Sequence, residues 1–250
     1  MTQTDIVFSE NAAGRPDGRP YVIVFANEKG GTGKSTLSFH AIVALLQRGY
    51  RVGSIDADVR QGTLSRYLEN RAASDRTSAT MPSPQHVRLE DLPEGDDADA
   101  VARACAALRD LADCDFVVID TPGSANALTR FALLNADTLI SPVNDSYVDI
   151  DVIAALNMER REVVGPGQFT RLVWECGNRR AADGMAAPDW VVLRNRLTHI
   201  ESHNKRDISD LMAKLAARIG FRVAAGFGER VIYRELFHEG LTLLDVGNGV

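Results

Sequence analysis

The sequence predicts an α/β fold, a doubly wound and mainly parallel sheet flanked by helices. Three observations carry that expectation. An apolar, β-branched run, Tyr21-Val22-Ile23-Val24-Phe25, is followed by a glycine-rich turn and then a helical run from Leu37 to Arg48. A second apolar run, Phe116-Val117-Val118-Ile119, ends in Asp120, the pattern of a strand buried on both faces. Strand-like and helix-like segments alternate through most of the 250 residues, the order that builds parallel sheets.

The turn after the first run reads Asn27-Glu28-Lys29-Gly30-Gly31-Thr32-Gly33-Lys34-Ser35-Thr36. Three glycines in four positions let the chain curl so that several backbone N–H groups face one anion. The helix that follows adds the positive end of its dipole. Lys34 is placed to reach terminal phosphates, and Ser35 to put a hydroxyl on Mg²⁺. This is a phosphate cradle in the strand, loop and helix context of a P-loop, and it makes Lys29 to Thr36 the candidate nucleotide-binding stretch. The strict P-loop pattern has a glycine five residues before Gly33; Glu28 stands there, and Lys29 is an additional cation.

Gly49 stops the first helix, and Tyr50 to Ile55 reads as a second strand that opens into Asp56-Ala57-Asp58-Val59-Arg60-Gln61. Strand ends beside a P-loop are where phosphate-sensing groups sit. Asp58 is suited to orient water against a γ-phosphate and Asp56 to hold the Mg²⁺ shell; the alternative is a solvated acidic turn. A short helix is expected over Thr63 to Ala73. Ala79 to Asp99 is rich in proline and acid and reads as a long surface insertion. Ala100 to Leu111 is helical by alanine content and apolar spacing. The strand from Asp115 to Asp120 is a Walker B arrangement, with Asp120 holding Mg²⁺ through water and Thr121-Pro122-Gly123 turning toward the γ-phosphate. Ala136 to Val143 is another core strand. Arg171 to Trp174 and Trp190 to Leu193 are expected as strands, with an exposed segment, Gly177 to Pro188, between them.

The last expected strand ends in Arg194-Asn195-Arg196. An amide offers a donor and an acceptor together, which suits Asn195 to adenine, or to an ordinary turn. A helix over about Lys205 to Arg218 puts Ile208, Leu211, Met212, Leu215 and Ile219 on one face. Lys205, Arg206, Lys214 and Arg218 decorate it, either as a solvated surface or as a patch for DNA phosphates. Few aromatics accompany them, which argues against single-strand stacking. Gly226-Phe227-Gly228 is expected as a loop over the base, and Glu229 to His238 as a short helix.

The net charge of −6 argues against a protein coated with positive charge. It is uneven, because Arg194 to Val250 holds nine basic and seven acidic residues, a net of +2 that leaves −8 elsewhere. An anionic macromolecule should meet the C-terminal part. Cys105, Cys114 and Cys176 show no metal or disulfide spacing, as expected in a cytoplasmic protein. No apolar run approaches the ~20 residues that span a bilayer, and the N-terminus lacks signal-peptide order. Residues 1–20, with Gly14, Pro16, Gly18 and Pro20, are expected as a flexible arm, and 21–250 as a single domain.

The early Lys29 makes the loop resemble the deviant Walker A motif of the ParA/MinD ATPases. Further segments resemble the MipZ family, the division-plane ATPases within that group. They are Asn27 to Gly31, Asp58-Val59-Arg60-Gln61, Asn144-Asp145-Ser146, Asp189 to Arg196, Arg230 to Phe237 and Gly240 to Asp245. Val59-Arg60-Gln61 replaces the Pro-Gln of plain ParA proteins. The resemblance implies a Mg²⁺-dependent ATPase whose Lys29 reaches the partner's nucleotide in a sandwich homodimer. The dimer would bind double-stranded DNA without sequence preference, localise to the nucleoid, be recruited by ParB and inhibit FtsZ polymerisation. Hydrolysis would return it to monomer. Two departures stand out: the chain stops at Val250, and Thr32 replaces an alanine or valine. A chromosome or plasmid partition ATPase of ParA type is the alternative, and a P-loop metabolic enzyme of the dethiobiotin synthetase kind another.

Overall fold

The computed structural model describes residues 18–74, 81–89, 96–144, 146–157, 162–196, 203–228 and 232–247. The elements in chain order are β1 (Tyr21–Phe25), α1 (Lys34–Gln47), β2 (Val52–Asp56), α2 (Thr63–Ala73), β3 (Gln85–Arg88) and α3 (Asp97–Asp110). There follow β4 (Phe116–Asp120), α4 (Ala127–Asn135), β5 (Thr138–Asn144), α5 (Tyr147–Ile150), β6 (Ala154–Asn157), β7 (Glu162–Pro166) and α6 (Gln168–Ala182). The C-terminal part holds β8 (Asp189–Asn195), α7 (His203–Ile219), β9 (Arg222–Ala224), α8 (Ile232–Glu239) and α9 (Leu243–Gly247).

Seven strands form one sheet in the order β3-β2-β4-β1-β5-β8-β9, and every pairing in it is parallel. Successive side chains of a strand face opposite sides, so a sheet covered by helices on both faces needs strands that are apolar throughout. β1 and β4 meet that requirement at nearly every position, and each residue of β1, β2 and β4 is buried. The core falls into two layers. Val22, Val24, Ile119 and Leu139 point to the side covered by α3, α4, α6 and α7, and Ile23, Phe25, Val118 and Ile140 to the side of α1 and α2.

The topology assembles the C-terminal strand ends. β1 lies between β4 and β5, so the chain leaves the sheet in different directions around it, the place where open α/β sheets form a crevice. Register then puts Phe25 beside Asp120 and Asp120 beside Asp56. The loop after β1 and both carboxylates therefore meet at one edge.

Several expectations are corrected. Arg171 to Trp174 is not a strand but part of α6, whose buried Phe169, Leu172, Val173 and Cys176 recur at helical spacing. That helix also takes up the first half of the segment expected to be exposed, with Arg180 buried against the carbonyls of Leu134 and Ala186. Within the expected insertion, Gln85–Arg88 forms the edge strand β3; its single apolar residue, Val87, gives no periodic signal. β8 is not the last strand, because the short β9 extends the sheet past it. The antiparallel hairpin β6-β7 and helix α4 were not anticipated. α1 is buried around most of its circumference rather than along one stripe, because α2 and α9 cover its outer side. Residues 1–17, most of the expected arm, lie outside the described residues.

Candidate functional site

The loop between β1 and α1 is braced from within. Asn27 is buried, donates its side-chain amide to the Pro142 carbonyl at 2.6 Å and accepts from the Lys29 N–H at 3.1 Å. Thr32 is fully buried, with its hydroxyl 3.5 Å from the Lys29 carbonyl. Gly31 and Gly33 have φ of 75° and 92°, a region that residues with a Cβ rarely enter. At Gly33 a Cβ would also collide with the Asn195 side chain.

Gly33 caps α1 without any side-chain hydrogen bond, and no acidic residue stands in the first turn. The first N–H groups of the helix are thus left for an external acceptor, the arrangement that binds phosphate. Lys34 opens the helix with a buried side chain that donates to the Lys29 carbonyl at 3.2 Å. Burial lowers its pKa, and the neighbouring Asp120 and Asp58 oppose that shift.

Asp120 is the most perturbed acid of the site. It is fully buried, and its pKa is pushed up to about 7 by desolvation, with nearby Asp56 adding to the rise. Its Oδ1 accepts from the Ser38 hydroxyl at 3.2 Å, while Oδ2 has no hydrogen-bond partner among the described residues. A buried carboxylate oxygen without a donor is costly unless a cation or its water shell satisfies it. Among the described residues there is no cluster of three metal-ligating side chains. Mg²⁺ binds through one or two carboxylates, waters and substrate phosphates. Ser35, Asp56 and Asp120 fit such a shell.

Asp56 is fully buried at the end of β2, and its Oδ1 accepts the Asp58 N–H at 3.2 Å. Asp58 is half-buried; desolvation raises its pKa, and its Oδ1 accepts the Gln61 N–H at 3.2 Å. Gly123 explains why the turn after β4 lacks a side chain, since a Cβ there would stand 3.1 Å from the Gly30 nitrogen.

Lys29 is held within its own chain. Its ammonium forms an ion pair with Asp149 in α5, whose side chain is only 5% exposed and also accepts from the Ser146 hydroxyl at 3.1 Å. Asn195 donates one amide N–H to the Thr32 carbonyl at 2.7 Å, so part of its hydrogen-bonding capacity braces the loop. It also lines a cavity of about 630 Å³ that runs from Gly33 and Thr36 to Tyr67, Phe227, Tyr233 and Phe237. An apolar chamber at the phosphate end of the helix matches the size of a nucleoside pocket. Lys214 and Arg218 are exposed one turn apart on α7. Lys205 and Arg206 belong to the same helix, and their side chains lie outside the description.

The sequence model of the family ATPase MipZ matches residues 21–250. The chain belongs to the MipZ ATPase family. Among curated proteins, the maintenance of carboxysome distribution protein A of Halothiobacillus neapolitanus is 32% identical over 133 residues, 53% of this chain and 54% of that protein. The chromosome partitioning protein ParA of Myxococcus xanthus is 25% identical over 158 residues, 54% of this chain and 56% of its own length. The chain spans about half the length of the curated relatives it matches. Among solved structures, apo McdA from Cyanothece superposes with a TM-score of 0.64 at 18% identity, covering 92% of this chain and 94% of the other. The septum site-determining protein MinD of Pyrococcus horikoshii, complexed with Mg-ADP, gives 0.56 at 17%, covering 92% and 90%. At these identities the structural likeness establishes a ParA/MinD-type fold and nothing finer.

MipZ membership accounts for the motifs around the loop, but three polar residues that pack on the predicted site were not visible in the sequence. Asp149 lies in a short acidic stretch that gives no spacing signal, His86 sits on the unforeseen edge strand, and Ser65 is an ordinary helix serine until Asp56 is seen beside it.

Proposed function

We propose that this MipZ-family chain is an ATP-dependent dimerisation switch for placing the division site. The observation that carries the reading is the open N-terminus of α1 beside a buried Lys34 and an unsatisfied Asp120 oxygen, a cradle for phosphate and a cation together. Lys34 and the loop N–H groups bind the β- and γ-phosphates, and Asn195 faces the base from the cavity wall. Ser35, Asp56 and Asp120 would hold Mg²⁺, which would supply charge neutralisation on the phosphates. Asp58 orients the attacking water. Lys29 leaves Asp149 and reaches the nucleotide of a second copy, giving a sandwich homodimer that hydrolysis undoes.

In the dimer the cations of α7, the exposed Lys214 and Arg218 together with Lys205 and Arg206, are doubled on one particle. Weak, sequence-independent contacts to double-stranded DNA then add through effective concentration. Recruitment by ParB and inhibition of FtsZ polymerisation complete the reading, with the nucleoid as its location. Among the described residues no helix is long and apolar enough to cross a membrane.

The test is Mg²⁺-dependent ATP turnover in the wild-type chain and in Asp58→Ala, followed by light scattering of FtsZ assembly with the ATP-loaded protein. Turnover that is lost in the variant, with reduced FtsZ assembly, is the expected result. Turnover without any effect on FtsZ would move the reading to a partition ATPase of ParA type.

A further inference from the structure

Behind the site three polar residues outside the sequence motifs, the buried Ser54 and Ser65 and the half-buried His86, form a chain that ends on Asp56. Ser65, in the first turn of α2, gives Asp56 Oδ2 both its N–H at 2.9 Å and its hydroxyl at 2.8 Å. The same hydroxyl oxygen is 2.9 Å from His86 Nε2, and His86 Nδ1 is 2.9 Å from the hydroxyl of Ser54. His86 stands on β3 directly beside Ser54 of β2, on the face covered by α2. Ser54, Asp56 and Ser65 are buried.

Proton counting fixes the direction of every bond. A hydroxyl has one proton to give, and Ser65 gives it to the carboxylate. His86 Nε2 must then carry a proton and donate to Ser65 Oγ. In the neutral imidazole Nδ1 is bare, so it accepts from the Ser54 hydroxyl. The order Ser54 to His86 to Ser65 to Asp56 satisfies each group, as buried polar networks require. It is not a nucleophilic triad, because Ser65 is only 1% exposed and lies between the acid and the histidine.

We infer that His86 and Ser65 are positioning residues for Asp56, holding its carboxylate in the orientation that the Mg²⁺ shell needs. Three bonds engage this carboxylate, two on Oδ2 from Ser65 and one on Oδ1 from the Asp58 N–H. Asp120 is the register partner of Asp56, so the carboxylate held this way shares one strand edge with the other carboxylate of the site. Second partners of this kind hold a ligand in place before the ion arrives. The inference rests on the Mg²⁺–ATP reading above.

Two measurements test it. In the metal-free, nucleotide-free chain, ¹⁵N–¹H correlation of the imidazoles should show His86 as the Nε2–H tautomer; an Nδ1–H tautomer would overturn the relay. In the ADP-loaded chain, free Mn²⁺ measured by paramagnetic resonance gives the affinity of the site. Ser65→Ala and His86→Leu should each weaken it about tenfold, the effect expected for loss of an outer-shell partner. Ser65→Thr and His86→Gln keep a donor and an acceptor in place and should restore it. The Mg²⁺ concentration for half-maximal turnover should move in parallel. Wild-type turnover with unchanged metal affinity in Ser65→Ala and His86→Leu would defeat the inference and leave the ATPase reading intact. A wild-type chain without Mg²⁺-dependent turnover would remove both.

Discussion

Lys29 and Lys34 share one loop, yet their surroundings assign them different work. Lys34 is buried and tied to the Lys29 carbonyl, so in the proposed cycle it serves the nucleotide of its own chain. Lys29 is over a third exposed and paired with the buried Asp149, so it can exchange that partner for another. Lys29→Ala is expected to keep nucleotide binding and lose ATP-dependent dimers, as read by light scattering. Asp149→Asn removes a hold on Lys29 and should lower the ATP concentration for half-maximal dimerisation about threefold, the scale of a partly exposed ion pair. A rise instead would mean that Asp149 serves the dimer and does not restrain the monomer. The turn geometry of the loop and the buried strand-terminal position of Asp120 were legible here, because glycine spacing and an aspartate that ends an apolar run report directly on backbone geometry. The pairing of Lys29 with Asp149 was not, since it joins positions that only the fold brings together.

The half-buried His40 adds a pH dependence at this same scale. Burial lowers the pKa of His40 below its ordinary value of 6.5, against smaller opposing effects of the Thr36 carbonyl and Asp245. The folded state then binds fewer protons than the unfolded one below pH 6.5, so stability present above that pH is lost as pH falls. Asp120 acts in the opposite sense: its raised value near 7 means that folded stability declines as pH climbs toward that point. Denaturant unfolding at pH 7.5 and about pH 5 should show a smaller acid loss in His40→Gln than in wild type. Equal losses would mean that His40 stays uncharged in neither state.

Among the elements, α8 and α9 show why a resemblance in sequence can precede its physical reason. The segment Gly240 to Asp245 is built around one buried carboxylate. Asp245 accepts from the Thr242 N–H and hydroxyl, both at 2.7 Å, and from both ends of the Arg71 guanidinium at 3.1 Å. Gly240 lies so close to the Arg71 backbone that a Cβ would collide with it. This clamp seats the C-terminal helices on α2, and with them Tyr233 and Phe237 of the cavity wall. Asp245→Ala leaves the guanidinium buried without its carboxylate and should cost about 3–5 kcal/mol in equilibrium unfolding. A loss below about 1 kcal/mol would place the pair among ion pairs of surface strength. Elements whose apolar residues form a continuous run, such as β1 and β4, or follow a helical period, such as α7, were legible in the sequence. β3 was not, because Val87 is its single apolar residue and one core contact makes no pattern, and α6 was mistaken in part because Leu172-Val173-Trp174 is too short a run to distinguish helix from strand.

At the scale of the whole molecule, charge and oligomeric state carry the proposed function. The net −6 is arranged so that the stretch from Arg194 onward is positive by two, and α7 exposes part of that charge. DNA binding by the ATP-loaded protein should therefore fall linearly in log affinity against log salt, and Lys214→Ala with Arg218→Ala should reduce the slope. Binding indifferent to salt would contradict an electrostatic patch. All of this depends on one event, the nucleotide-dependent pairing of two chains. Its most direct test is the mass of Asp58→Ala by size-exclusion with light scattering, in Mg²⁺ with ATP and again with ADP. Nucleotide-dependent pairing gives a dimer with ATP and a monomer with ADP; a monomer in both, with nucleotide shown to be bound, would contradict it.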